Sequence, residues 1–433
     1  MRLVCLTLAS IAAVTAAPKT SAPTVTFQRD VLPVLQKNCQ GCHRPGEAAP
    51  MSFLSYKETR PWAKAIREAV LKGKMPPWFA DPHVGKWAND RSLSKADIET
   101  LVQWADNGAI EGDVKDGPAP RTFVTGWNIG NPEYVVEMPI EYHVPSTGTV
   151  EYTYFVVPTG FTEDRWIHAA EARPGNRRVV HHIIAFVREP GNKWLQDARP
   201  GEPYVIKKEN GKRTETNAGG EFLVGYAPGS MPEVLQPGQA KLIKAGSDIV
   251  LQVHYTADGK EETDRTRVGF IFSKEQPKER VMTIASGTDK FAIPAGDPNY
   301  RVDASLSLVK DVKVTALLPH MHLRGKDFEY RFVYPDGRTE KVLSVPRYSF
   351  SWQLSYYPEK PLLLPAGTKV DCTAHYDNSA NNPNNPDPNI EVRQGEQSWD
   401  EMMLGFFNIA FDAKMDPGDL FEKKKEKGAN GAD

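Results

Sequence analysis

Four cysteines in 433 residues are too few for a disulfide framework, and their placement thins them further. Cys5 falls in the first apolar stretch, and Cys372 stands alone. The chain also lacks an apolar run able to span a bilayer, which takes roughly 20 residues. Charge of one sign is missing too: 53 Lys and Arg against 55 Asp and Glu leave a net −2. The expectation is therefore no nucleic acid partner and no transmembrane anchor. Histidine is scarce, with ten in the chain, so where the histidines sit carries information. Abundant residues point elsewhere: 35 prolines and 33 glycines suit many short strands and turns rather than a helical bundle. The length suits two or three domains.

Residues 1–17 read as an export signal. Arg2 supplies the charged start, Leu3 to Val14 the short apolar run, and Val14-Thr15-Ala16 the small-residue cleavage site. Cys5 would leave with it. The expected location is periplasmic or secreted.

Cys39-Gln40-Gly41-Cys42-His43 is the pattern by which a polypeptide holds a c-type haem covalently. The two thiols form thioethers, and His43 is placed as an axial iron ligand. A redox-active dithiol or half a zinc site also uses Cys-x-x-Cys. Neither needs the histidine, and a zinc knuckle needs a second thiol pair that is missing here. Around this motif, residues 24–112 have helical periodicity. Asp30 and Pro33 suit the start of a helix, Trp62, Ala65, Ile66, Ala69 and Val70 have helical spacing, and Ser94-Lys95-Ala96-Asp97 opens another helix as a capping box. The expectation is a small all-α cytochrome c domain. Met75, in Gly73-Lys74-Met75-Pro76-Pro77-Trp78, is the preferred second iron ligand, with Met51 and His83 as rivals.

Past a Gly/Asp/Pro-rich linker near 111–126 the pattern changes to alternating, β-branched runs such as Tyr152–Val157, Asp248–Tyr255 and Lys313–Leu318. Turn residues separate them, as in all-β sandwiches. Three strand-borne groups hold most histidines outside the haem region: His181-His182, His254, and His320-Met321-His322. Imidazole is the commonest transition-metal ligand, and His-x-His on a strand presents both rings on one face. Adjacent His181 and His182 can serve one metal only where the strand bends or bulges. Three histidines could also hold zinc. A thioether in the set selects copper, above all Cu(I).

This constellation resembles the copper type II, ascorbate-dependent monooxygenases, the family of peptidylglycine hydroxylating and dopamine β-monooxygenases. Val179-Val180-His181-His182 and Gln252-Val253-His254-Tyr255 match the first copper's motifs. His320-Met321-His322-Leu323-Arg324-Gly325-Lys326 and Asp400-Glu401-Met402 match the second's. The resemblance covers roughly Thr122 to Phe411. It implies two jelly-roll-like sandwich domains, 122–290 and 291–415, each with one copper. His181, His182 and His254 would bind an electron-storing copper. His320, His322 and Met402 would bind the catalytic one, with O2 as co-substrate.

There are departures. The disulfides of the animal members cannot form. Leu318 stands where the peptide-processing branch has a substrate-gripping arginine, and Leu404 and Phe406 replace an asparagine and a tyrosine. The pocket should be apolar. Arg324 and Lys326 read as surface residues, His375 as an extra metal candidate, Cys372 as a buried free thiol, and 416–433 as a disordered charged tail.

The sequence thus leads to a multidomain expectation: an all-α haem domain, then two all-β domains. Its expected function is an exported haem- and copper-dependent monooxygenase hydroxylating a C–H bond of a small-molecule or peptide-like substrate. A periplasmic electron donor or small reductant would feed the haem. The alternatives are an electron-transfer or copper-binding protein without oxygenase activity, or β domains that bind carbohydrate or protein around structural histidines.

Overall fold

The computed structural model describes residues 24–47, 49–209, 212–213 and 219–422. The expected signal segment 1–17 with Cys5, and positions 423–433 of the expected tail, lie outside the described residues.

The sequence signals place the N-terminal helices well. Phe27–Val31 runs into the helix Leu32–Asn38, with Pro33 in the tolerated first turn. The Asp30 carboxylate accepts the Thr26 N–H at 2.7 Å. Ser94 caps Lys95–Asp106 by accepting the Asp97 N–H at 3.1 Å. Leu35, Val70, Leu101 and Trp104 close a small apolar cluster among these helices.

The expected fold class does not form. The chain is mostly β, 35% strand against 12% helix, and its short helices build no separate all-α cytochrome domain. A physical reason lies in the stretch after the helix Ala63–Leu71, which runs out over the β structure instead of returning to its own cluster. Trp78 and Phe79 pack against the largest core, and Ala80 and Trp87 belong to it. Hydrogen bonds fix this course: Asp81 N–H to Ser344 O at 2.9 Å, Ala88 N–H to Tyr357 O at 2.8 Å, and Asn89 Nδ2 to Ser355 O at 2.8 Å.

Two separate sandwiches do not form either. One 13-stranded sheet, curled nearly into a barrel, takes strands from both halves of the chain. Its join is Glu279–Gly287, which pairs in parallel with Gln239 and Ala240 on one side. On the other side it pairs antiparallel with Leu404–Asp412 along its whole length. Val312–His320 then pairs with Leu404–Asp412. A four-stranded sheet, ordered Tyr300–Ser307, Lys369–Tyr376, Gly325–Val333, Thr339–Val345, packs on this C-terminal part. Phe328, Tyr330 and Phe332 alternate inward from it, as strand periodicity requires, to meet Leu317, Phe407 and Ile409. Each such side chain contributes about 1.5–3 kcal/mol by leaving water.

Candidate metal centre

The strands Val180–Arg188 and Asp248–Tyr255 pair antiparallel with His182 opposite His254. The next pair is Tyr255 with Val180, so His181 is the extra residue of a bulge. That irregularity turns neighbouring imidazoles toward one point, as a shared metal requires. One ring nitrogen from each of His181, His182 and His254 lies within 4.8 Å of the others. The Nδ1 atoms of His181 and His182 are 3.2 Å apart, and His254 Nδ1 is buried without a hydrogen-bond partner. Two facing imidazole nitrogens need one proton between them or a common cation. A metal ion would satisfy all three at once. Tyr152 walls the group, its ring 4.8 Å from that of His254 and 5.4 Å from that of His182.

Burial keeps these rings neutral, the form that ligates. It lowers the pKa of His181 and brings His254 down to about 3. His182 falls well below its ordinary value through burial, aided by its histidine neighbours.

The second group is built at the end of the Val312–His320 strand. The His320 and His322 rings lie 5.3 Å apart. His320 Nδ1 is 2.8 Å from Gln353 Oε1, and His322 Nδ1 is 3.3 Å from Asp400 O. A metal-ligating histidine usually donates its other N–H to such an acceptor. That leaves His322 Nε2, which is buried without a partner, and the Nε2 of His320 as donors. Burial lowers His320 to about 4 and His322 well below the ordinary value. Met402 is buried and lines the same cavity as His320 and His322.

Glu401 holds this group in shape. Its carboxylate accepts backbone N–H bonds from Arg324 at 2.6 Å, His322 at 2.9 Å and Met402 at 3.3 Å. Burial pushes its pKa up to about 8 against those donors. Arg324, read from sequence as a surface residue, is 1% exposed. Its guanidinium donates to Asn378 Oδ1 and Trp399 O, each at 2.7 Å, and burial lowers its pKa. Lys326 does reach outward, to Asn299 Oδ1 at 2.7 Å.

Both histidine groups open on one cavity of about 1170 Å3, lined by His182, His320, His322 and Met402. Phe350 touches both groups, its ring 5.2 Å from His181 and 5.9 Å from His322. Those two imidazoles are therefore no farther apart than the sum of these distances. Ile184, Phe222, Met282, Ile284, Leu318 and Phe406 supply apolar wall. Among the described lining residues there is no Lys or Arg.

At the Cys39–His43 motif, His43 N–H bonds Cys39 O at 3.0 Å, a helical turn. The His43 ring stacks on Phe53 at 4.2 Å, and its Nδ1 is buried without a partner. Cys39 and Cys42 are free and half-buried. A redox dithiol needs a depressed thiol pKa. Here burial pushes Cys39 up to about 12 and raises Cys42. That disfavours the dithiol alternative. Met51 packs with Cys39 against the helical cluster. Met75 is half-buried just ahead of Trp78 and Phe79, outside that cluster. His83 is exposed.

His375 pairs with Asp327 at 2.7 Å on the four-stranded sheet and is not among the cavity's residues. Cys372 is a buried free thiol whose pKa burial raises. Sequence reading missed Tyr152, Phe350 and Gln353, which carry no ligand chemistry of their own. Glu401 was visible only as the acidic neighbour of Met402.

No family model matches the chain, and no curated protein matches it. Solved structures offer remote likenesses. The infectious bursal disease virus Gx strain structure is 10% identical over 67% of this chain and 75% of that one, with a TM-score of 0.19. The PNGF-II structure is 10% identical over 64% of this chain and 60% of that one, at 0.22. Likeness at this level carries no argument about function.

Proposed function

We propose that this protein is an exported copper-dependent monooxygenase that hydroxylates an apolar C–H bond with O2 and takes its electrons through a covalent haem. The observation that carries this reading is that two sets of imidazoles, each holding a buried unsatisfied nitrogen, lie at one cavity whose lining combines an apolar wall with carboxylates and no Lys or Arg. His181, His182 and His254 would hold one copper, and His320, His322 and Met402 the other. Copper bound there supplies one-electron storage and O2 activation, which no side chain offers. The thioether of Met402 favours Cu(I), the state that meets O2.

The chain's own residues do the rest. Gln353 and Asp400 O fix the imidazole tautomers at the second group. Glu401 locks the backbone between His322 and Met402. Leu318, Ile284 and Phe406 give an apolar surface that excludes water from the reacting bond. Without a cation in the wall, and with Glu221, Glu233, Asp289, Glu396 and Asp400 in it, a carboxylate substrate finds no clamp, so the expected substrate carries no anionic group. Cys39, Cys42 and His43 would hold the haem that accepts electrons singly from a periplasmic carrier or small reductant.

The test is metal analysis of purified holoprotein joined to O2 uptake across a panel of substrates without an anionic group. One haem, two coppers and product-coupled O2 consumption support the reading. Copper without substrate-dependent uptake leaves an electron-transfer or copper-binding protein. A protein that takes up no copper ends it.

A further inference from the structure

The Cys39–His43 loop does not lie at a distance from the first histidine group; it is fastened to the strand that carries it. Glu47, just past the motif, forms ion pairs with Arg44 at 3.0 Å and with Arg177 at 3.2 Å. All three side chains are largely sheltered from solvent. Arg177 lies three residues before Val180, where the strand bearing His181 and His182 begins. Its guanidinium stacks over the Tyr226 ring at 5.5 Å and lies 3.5 Å from that hydroxyl.

Tyr226 is a wall between two spaces. On one side is a small cavity of about 60 Å3 that Glu47 and Arg177 also line. On the other is the large cavity with His182, His320 and His322. Gly225, Ser230 and Met231 line both spaces too. Tyr226 is also the register partner of Ile183, next to His182 on the bulged strand.

We propose that Arg177 is a positioning residue that docks the haem-attachment loop on the first metal site, so that electrons cross at the Tyr226 partition within a single chain. The inference rests on the copper and haem reading above. Its step is one electron: ferrous haem becomes ferric as Cu(II) at His181, His182 and His254 becomes Cu(I), with no proton or atom transferred. A tethered donor in fixed contact replaces a diffusing one.

The experiment uses full-length protein loaded with haem and Cu(II), without O2 or substrate. The haem is reduced in a rapid mixing step, and its reoxidation is followed by its visible absorbance. For the unaltered protein the expected decay is first order, with a rate independent of protein concentration. Arg177→Ala and Glu47→Gln should each slow it tenfold or more, with the haem spectrum and copper content unchanged. The charge-swapped pair, Glu47→Arg with Arg177→Glu, should recover to within about threefold.

Unchanged rates in both single variants would overturn the inference. So would a wild-type rate that rises with protein concentration, or loaded protein that transfers nothing. The outcome is separable from that of the functional reading. Arg177-dependent transfer in a protein that hydroxylates nothing keeps the docking role and removes the oxygenase.

Discussion

At the residue scale, function depends on which nitrogen of each imidazole is left available. In the first group one ring nitrogen of each histidine converges on the others, and removing one ring removes a third of the donor set. His254→Ala should lower copper content by one ion per chain while the haem absorbance stays. Retention of full copper would place that metal elsewhere. In the second group, Gln353 Oε1 is the acceptor that orients His320. Gln353→Leu keeps the size and loses the acceptor, and outer-shell losses of this kind cost roughly 10–100-fold in metal affinity. Chelator competition reads that directly, and an unchanged affinity would make Gln353 a bystander.

Protons give a second residue-scale prediction. Burial holds His254 near 3 and His320 near 4 in the metal-free protein, against an ordinary 6.5. Because these folded-state values are depressed, the unfolded chain takes up protons first as pH falls. The stability contribution is whole above about 6.5 and is lost progressively toward 4 and below. Thermal unfolding of metal-free protein should therefore show a flat Tm above pH 7 and a falling one below 6. A Tm unaffected by acid down to pH 4 would show these rings already exposed.

At the element scale, the decisive feature is a single extra residue in a strand. His181 and His182 demanded a bulge if they were to share a metal, and the pairing register supplies it between His254 and Tyr255. That much was legible, because side-chain alternation in a strand is local. The Glu401 turn was not. Its role comes from three backbone N–H groups that converge on one carboxylate, and backbone positions leave no trace in residue identity. Arg324 misled for the same reason: a lone arginine beside a lysine reads as surface until its partners Asn378 and Trp399 are known. Glu401→Gln leaves one acceptor where two oxygens served three donors, at a cost of about 1–3 kcal/mol. A Tm shift of about 1–3 °C, with haem content unchanged, is the expected result. No shift would show that the turn is held by other contacts.

At the scale of the whole molecule, sequence and structure part company over architecture. Helix caps at Ser94 and alternation at Phe328, Tyr330 and Phe332 were readable from neighbours in the chain. The union of both halves in one sheet was not, since Glu279–Gly287 meets Leu404–Asp412 across a gap of more than a hundred residues. Local pattern identifies a strand but not its partner. The path of the loop after Met75 was equally hidden, because Trp78 and Trp87 could have covered a helical cluster and instead joined the β core. These long-range joins bring one histidine of each group into contact with Phe350.

The proposed chemistry stands on the two histidine groups forming two copper sites on one cavity. Copper K-edge absorption on quantified, fully loaded protein tests it most directly. The expected result is two coppers per chain in histidine ligation, with a sulfur scatterer in the Cu(I) state that disappears in Met402→Leu. A single copper, or a spectrum with no sulfur contribution in the unaltered protein, would contradict it.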